Sequence, residues 1–210
     1  MGFTALEIIV VLAVLVLLVA LLLPSLTRPR SRHNRIGCVS NLKQVALAAR
    51  MWANDNGDKF PWQVSTSTIG TMELIFGPNV APHFLAISNE LNTPKILACG
   101  HDVKRSKAVF FSEFDDMHLS YFVGLDADET KPQSILSGDR NITGGMQVIN
   151  TVFQFTSNGV VGFTKELHNE QGNIALGDGS VEQVSPAALR NRINATFLSS
   201  DHPTYRLAIP

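Results

Sequence analysis

The chain has 210 residues, with 17 Lys and Arg against 18 Asp and Glu and a formal net charge of −1. So even a balance gives no footing for nucleic-acid binding, which rests on an excess of basic surface. With 45% hydrophobic residues the chain can bury a core, and the roughly 180 residues left after an apolar N-terminal stretch suit one domain.

In chain order, Met1-Gly2-Phe3-Thr4-Ala5-Leu6-Glu7 comes first, then an apolar run over residues 8–23, then Pro24. An apolar run of about 20 residues is long enough to cross a bilayer as a helix. The sequence therefore predicts a transmembrane helix over 3–26. Its single charge is Glu7, and a charge so placed costs a few kcal/mol or more unless something pairs with it. A signal peptide would need a basic start, a shorter apolar core and a small-residue exit. A free N-terminal amine on a neighbouring copy would be a suitable partner for Glu7, and would favour side-by-side assembly with an axial offset of about one helical turn. Pro24 removes a helical hydrogen bond and bends the helix there.

The stretch Gly2-Phe3-Thr4-Ala5-Leu6-Glu7-Ile8-Ile9-Val10-Val11 resembles the N-terminal cleavage and methylation motif of type IV pilins and type II secretion pseudopilins. The resemblance implies cleavage between Gly2 and Phe3 by a prepilin peptidase, N-methylation of Phe3, and assembly guided by Glu7 and Pro24. Family leaders carry Lys or Arg before the glycine, where this sequence has only Met1. Arg28, Arg30, Arg32 and Arg35 follow the apolar run. The positive-inside rule would put them in the cytoplasm, whereas the family puts them outside.

Beyond Pro24, Ile36, Val39, Leu42, Val45, Ala46, Ala49 and Trp52 recur at helical spacing, and Gly57 is a candidate C-terminal cap. The expected organisation is a residual leader (1–2), a transmembrane helix (3–26), a periplasmic continuation of that helix (27–57) and a globular head (58–210). Residues 59–97 read as loop-rich, with short helices around 71–76 and 81–87. From residue 119 the period becomes two. Strands are expected at 120–123, 135–137 and 146–149. Hairpins are expected at 152–155 with 160–163, turning on Asn158-Gly159, and at 173–176 with 180–184, turning on Gly177-Asp178-Gly179. Ser185-Pro186 opens a helix through Arg192, and 201–210 reads as an irregular tail. The fold class expected is α+β, a long N-terminal helix with a transmembrane first half, packed on a small antiparallel β-sheet head in the pilin-like manner.

Cys38 and Cys99 form a candidate disulfide, since two cysteines outside the cytoplasm commonly pair. His168, nine residues before Asp178-Gly179, resembles the His-x9-Asp-Gly motif of pseudopilin-like proteins. A structural hydrogen bond from His168 to Asp178 or the turn backbone is the expected role, ahead of metal binding or catalysis. Asp126, Asp128 and Asp178 are weak candidates for calcium, which needs six to eight oxygens. No cofactor and no catalytic residue is expected.

The resemblance implies a single-pass protein of the inner membrane, its head in the periplasm, built into a type II secretion pseudopilus or type IV pilus-like filament. Its partners would be copies of itself, other pseudopilins or pilins, the prepilin peptidase, the inner-membrane assembly platform and the membrane. The alternative is a membrane-anchored extracytoplasmic binding module with its site in 59–97.

Overall fold

The computed structural model describes residues 4–26, 30–157, 159–198 and 204–210, with side-chain surroundings not described for 21–34 and 197–198. Two compact units emerge, Met1–His33 and Asn34–Pro210.

The first unit is built on α1 (Ala5–Leu26). Its start is a reciprocal cap. The Glu7 backbone N–H donates to Thr4 Oγ1 at 3.4 Å, and the Thr4 backbone N–H donates to Glu7 Oε2 at 2.8 Å. Thr at the N-cap with Glu three residues on satisfies two otherwise orphaned donors. From Leu6 to Val19 the large apolar side chains are half exposed or more. One expectation is corrected here. Among the described residues no helix is long and apolar enough to cross a membrane. The transmembrane first half and the single-pass inner-membrane placement with a periplasmic head are overturned on that ground.

In the second unit, α2 (Arg30–Asp55) buries Cys38, Leu42, Val45, Ala49 and Trp52, a strict alternation of four- and three-residue steps along one stripe. Ile36, expected on that stripe, is 62% exposed. Gly57 ends the helix at φ +69°, with the Asp58 N–H donating to the Ala53 carbonyl at 2.9 Å, the six-to-one bond of a Schellman cap. The junction of the single helix expected over 3–57, residues 27–29, lies outside the described residues.

The segment that follows is a chain of short turns, including two brief helices, α3 (Ala81–Leu85) and α4 (Ser88–Leu91). Asp116 pins it by accepting from the backbone N–H groups of Val80 and Ala81.

Among the described residues nine strands follow: β1 (Tyr121–Gly124), β2 (Ile135–Asp139), β3 (Ile142–Thr143), β4 (Met146–Ile149), β5 (Val152–Thr156), β6 (Gly162–Phe163), β7 (Gly172–Leu176), β8 (Val181–Val184) and β9 (Thr204–Ala208), with α5 (Pro186–Leu198) between β8 and β9. Seven of them form one antiparallel sheet in the order β4-β5-β9-β1-β2-β7-β8, and β3 pairs with β6 separately. The sheet is therefore larger than the small one expected. Strand alternation sorts its side chains into two cores. Tyr121, Val123, Leu136, Ala175 and Ala208 join the inner stripe of α2. Phe122, Ile135, Ile174, Tyr205 and Leu207 join Leu189 and Ile193 of α5. The unit is a three-layer α/sheet/α stack with a core on each face.

Two local expectations fail. Residues 152–155 and 160–163 do not make a hairpin. Both edges of β5 are taken, one by β4 and the other by β9, so Gly162–Phe163 turns instead to β3. The expected irregular tail supplies β9, a strand inside the sheet between β5 and β1. The β7–β8 hairpin forms where expected, and α5 runs on past Arg192 to Leu198.

Candidate functional site

Three segments remote in sequence bring a polar cluster to one place. Cys38 lies on the buried stripe of α2, and Cys99 follows the short 3-10 turn Pro94–Leu97. The two form a disulfide with a Cα–Cα distance of 5.1 Å. His101 sits two residues after Cys99, its ring edge-on to that of His168 with centroids 5.0 Å apart. His168, in the segment before β7, is buried; its Nε2 is 3.6 Å from Cys99 Sγ and 3.4 Å from Asp139 Oδ2.

Asp139, the last residue of β2, is fully buried. Its Oδ2 accepts from the backbone N–H of Asn173 at 2.7 Å and from Asn173 Nδ2 at 2.9 Å. Next to it, Arg140 reaches the other way. Its Nε and Nη2 hold the two oxygens of Asp102 at 2.7 Å each, and the Ser120 hydroxyl donates to Asp102 at 2.9 Å. Glu166 bridges Arg140 and Lys104 at the rim.

Burial decides the charges. It pushes the Asp139 carboxyl up to about 7, against the hydrogen bonds of Asn173 and the charge of Arg35. It pushes His168 down to about 4, helped by His101 and Arg35, and lowers His101 as well. Between about pH 4 and pH 7 the His168–Asp139 contact is therefore a neutral pair. Asp102 is the opposite case. Burial alone would raise its pKa, but the hydrogen bonds from Arg140 and Ser120 and the Arg140 charge hold it below the usual carboxylate range. The cluster thus holds the Asp102–Arg140 ion pair, extended at the rim through Glu166 to Lys104, an Asp139 carboxyl that is neutral below about pH 7, two neutral imidazoles and a disulfide.

The residues singled out in the sequence are distributed as follows. Gly2 and Phe3 lie outside the described residues. Glu7 caps α1, and Pro24 lies within α1, which continues to Leu26. His168 turns to Cys99, His101 and Asp139 rather than to Asp178. Asp178 instead caps its own turn by accepting from the Ser180 N–H at 2.8 Å, while its carbonyl accepts from Arg50 Nη1 at 2.7 Å. Gly179 has φ +84°, a conformation that favours glycine. Asp126 is held by Arg206, and Asp128 accepts from the N–H and hydroxyl of Thr130. Among the described residues, the His, Cys, Asp and Glu side chains that gather at metal-binding distance are Cys38, Cys99, His101 and His168. The acids considered for calcium are not among them.

In the sequence Gly100-His101-Asp102 and Asp139-Arg140-Asn141 read as turns, His101 shows no metal-ligand spacing of the usual kind, and Asn173 reads only as the start of a strand. The available signals were the Cys99-x-His101 spacing and an acid ending the apolar strand Ile135–Asp139.

No protein-family model, curated protein or solved structure matches the chain.

Proposed function

We propose that the chain is a prepilin-type structural subunit, cut between Gly2 and Phe3, methylated on Phe3 and assembled through α1 into a pseudopilus or pilus-like filament. The observation that carries this reading is α1 itself. Its large apolar side chains from Leu6 to Val19 are exposed on every side of the helix. A helix that is apolar all round belongs in the interior of something larger. Packing against the same helix of neighbouring copies would provide that interior.

The cap at Glu7 fits the same reading. Thr4 N–H and Glu7 Oε2 stand 2.8 Å apart in the isolated chain. Cleavage before Phe3 would place a cationic amine next to Thr4, and a neighbour's amine offset by one turn would compete for this carboxylate. The second unit would form the outer surface of the filament. Its partners would be further copies, related subunits, the peptidase and the assembly platform.

Mass spectrometry of the mature N-terminus, on protein from its native host, tests the reading. An N-methylated Phe3 is the expected result. An uncut N-terminus, or a cut elsewhere, sinks it.

A further inference from the structure

Cys38, Cys99, His101 and His168 each offer one ligand atom, and these four atoms lie within 4.8 Å of one another. In tetrahedral zinc sites, zinc–sulfur bonds of about 2.3 Å and zinc–nitrogen bonds of about 2.0 Å set neighbouring ligand atoms roughly 3.5 Å apart. The spacing found here is a short step from that. Among the described residues the His101 Nδ1 is buried without a hydrogen-bond partner, and His168 Nε2 meets Cys99 Sγ at 3.6 Å and Asp139 Oδ2 at 3.4 Å. Neither distance is that of a strong hydrogen bond, so both rings carry unused capacity.

We infer that reduction of the Cys38–Cys99 disulfide turns this cluster into a Cys2His2 zinc site, with the two sulfurs and the His101 and His168 imidazoles as its four ligands. A dithiol reductant supplies the two electrons and is itself oxidised to a disulfide; the Cys38–Cys99 bond breaks, and two thiols form. Zinc then displaces the two thiol protons to solvent. Two thiolates, two neutral imidazoles and one divalent cation sum to zero charge, which suits a buried centre. Nearby, Arg35 opposes a cation at His168 and the ionised Asp102 favours it, so their long-range effects are of opposite sign.

The disulfide joins α2 to the segment after Leu97. Zinc would join both to the segment before β7 as well, and would give His168 a role that the turn at Asp178 does not. This inference is independent of the filament reading, since it concerns only the second unit.

The full chain, held in mild detergent, is reduced with a metal-free phosphine, stripped of metal and titrated with cobalt and then zinc. The expected result is one equivalent bound per chain, with the visible bands of tetrahedral cobalt and a thiolate charge-transfer band, both displaced by zinc. The oxidised protein should show neither. His168→Gln and His101→Gln should each weaken zinc binding more than about a hundredfold, beyond the roughly 10–100-fold that outer-shell changes cost in metal sites. Asp178→Asn should leave it unchanged. Thermal melting of each oxidised variant reports whether it still folds, and the cobalt spectrum of the unaltered chain reads the ligand types without any variant. Failure of the reduced chain to bind cobalt overturns the inference. So does a cobalt spectrum of sulfur ligation alone, or equal binding by folded variants lacking both histidines.

Discussion

Asp139→Asn tests the electrostatics of the cluster. The Asp139 carboxyl is raised from 3.8 to about 7 by burial, and its Oδ1 has no hydrogen-bond partner. The folded value lies above the unfolded one. The folded state therefore keeps this proton over a range in which the unfolded chain has released it. The resulting stabilisation is fully present below about pH 4, falls by about 1.4 kcal/mol per pH unit, and is lost above about pH 7. Three units of separation correspond to roughly 4 kcal/mol. Asparagine keeps an oxygen for the Asn173 donors and cannot ionise. The variant should gain on the unaltered chain as pH rises, by roughly 2–4 kcal/mol between about pH 4 and pH 8. His168 and His83, both pushed down to about 4 by burial, work in the other direction. Their stabilisation is present above about pH 6.5 and is lost as pH falls toward 4; the His83 part cancels in a comparison of the two proteins, while His168 touches Asp139 and is coupled to the change. Guanidinium denaturation at about pH 4.5, 6 and 8, with the disulfide intact, measures the difference directly. A difference that does not change with pH refutes the reasoning. One that changes in the opposite sense means the carboxylate stays charged and paired in the fold.

Asp102→Ala leaves the Arg140 guanidinium, only 10% exposed, with Glu166 at the rim as its ion-pair partner, and should cost up to about 3–5 kcal/mol in the same denaturation assay. Gly138→Ala would place a Cβ 2.7 Å from the Phe122 ring and 2.8 Å from the Asn173 carbonyl; overpacking of this kind costs about 1–3 kcal/mol, read as a lowered melting temperature. Replacing Cys38 and Cys99 together by Ala opens a link between residues 61 apart, worth up to about 4 kcal/mol in the chain-entropy account. Calorimetry against the oxidised chain measures that loss. Glu7→Gln keeps an acceptor for the Thr4 N–H but removes the charge, so helicity should hold while sedimentable filaments drop sharply; filaments at the normal level would separate Glu7 from assembly.

Much of the local structure was legible because its causes are local. The apolar stripe of α2, the glycine cap at Gly57, the proline start of α5 and the β7–β8 turn each depend on residues within a few positions of one another. The Thr4–Glu7 cap was equally local, but Glu7 was read for its charge toward a neighbour rather than for its reach to Thr4. The membrane-spanning reading of 3–26 rested on counting apolar residues, and among the described residues no helix is long and apolar enough to cross a membrane. What the tertiary structure alone decided is pairing at long range. Thr204–Ala208 has an alternating pattern of its own, yet only the open edges of β5 and β1 make it an inner strand. Those same edges leave Gly162–Phe163 no place beside β5. His168 could be placed before a turn from the sequence, but its partners come from positions 99, 101 and 139. Ligand geometry and burial depend on how three distant segments converge, and no periodicity along the chain carries that information.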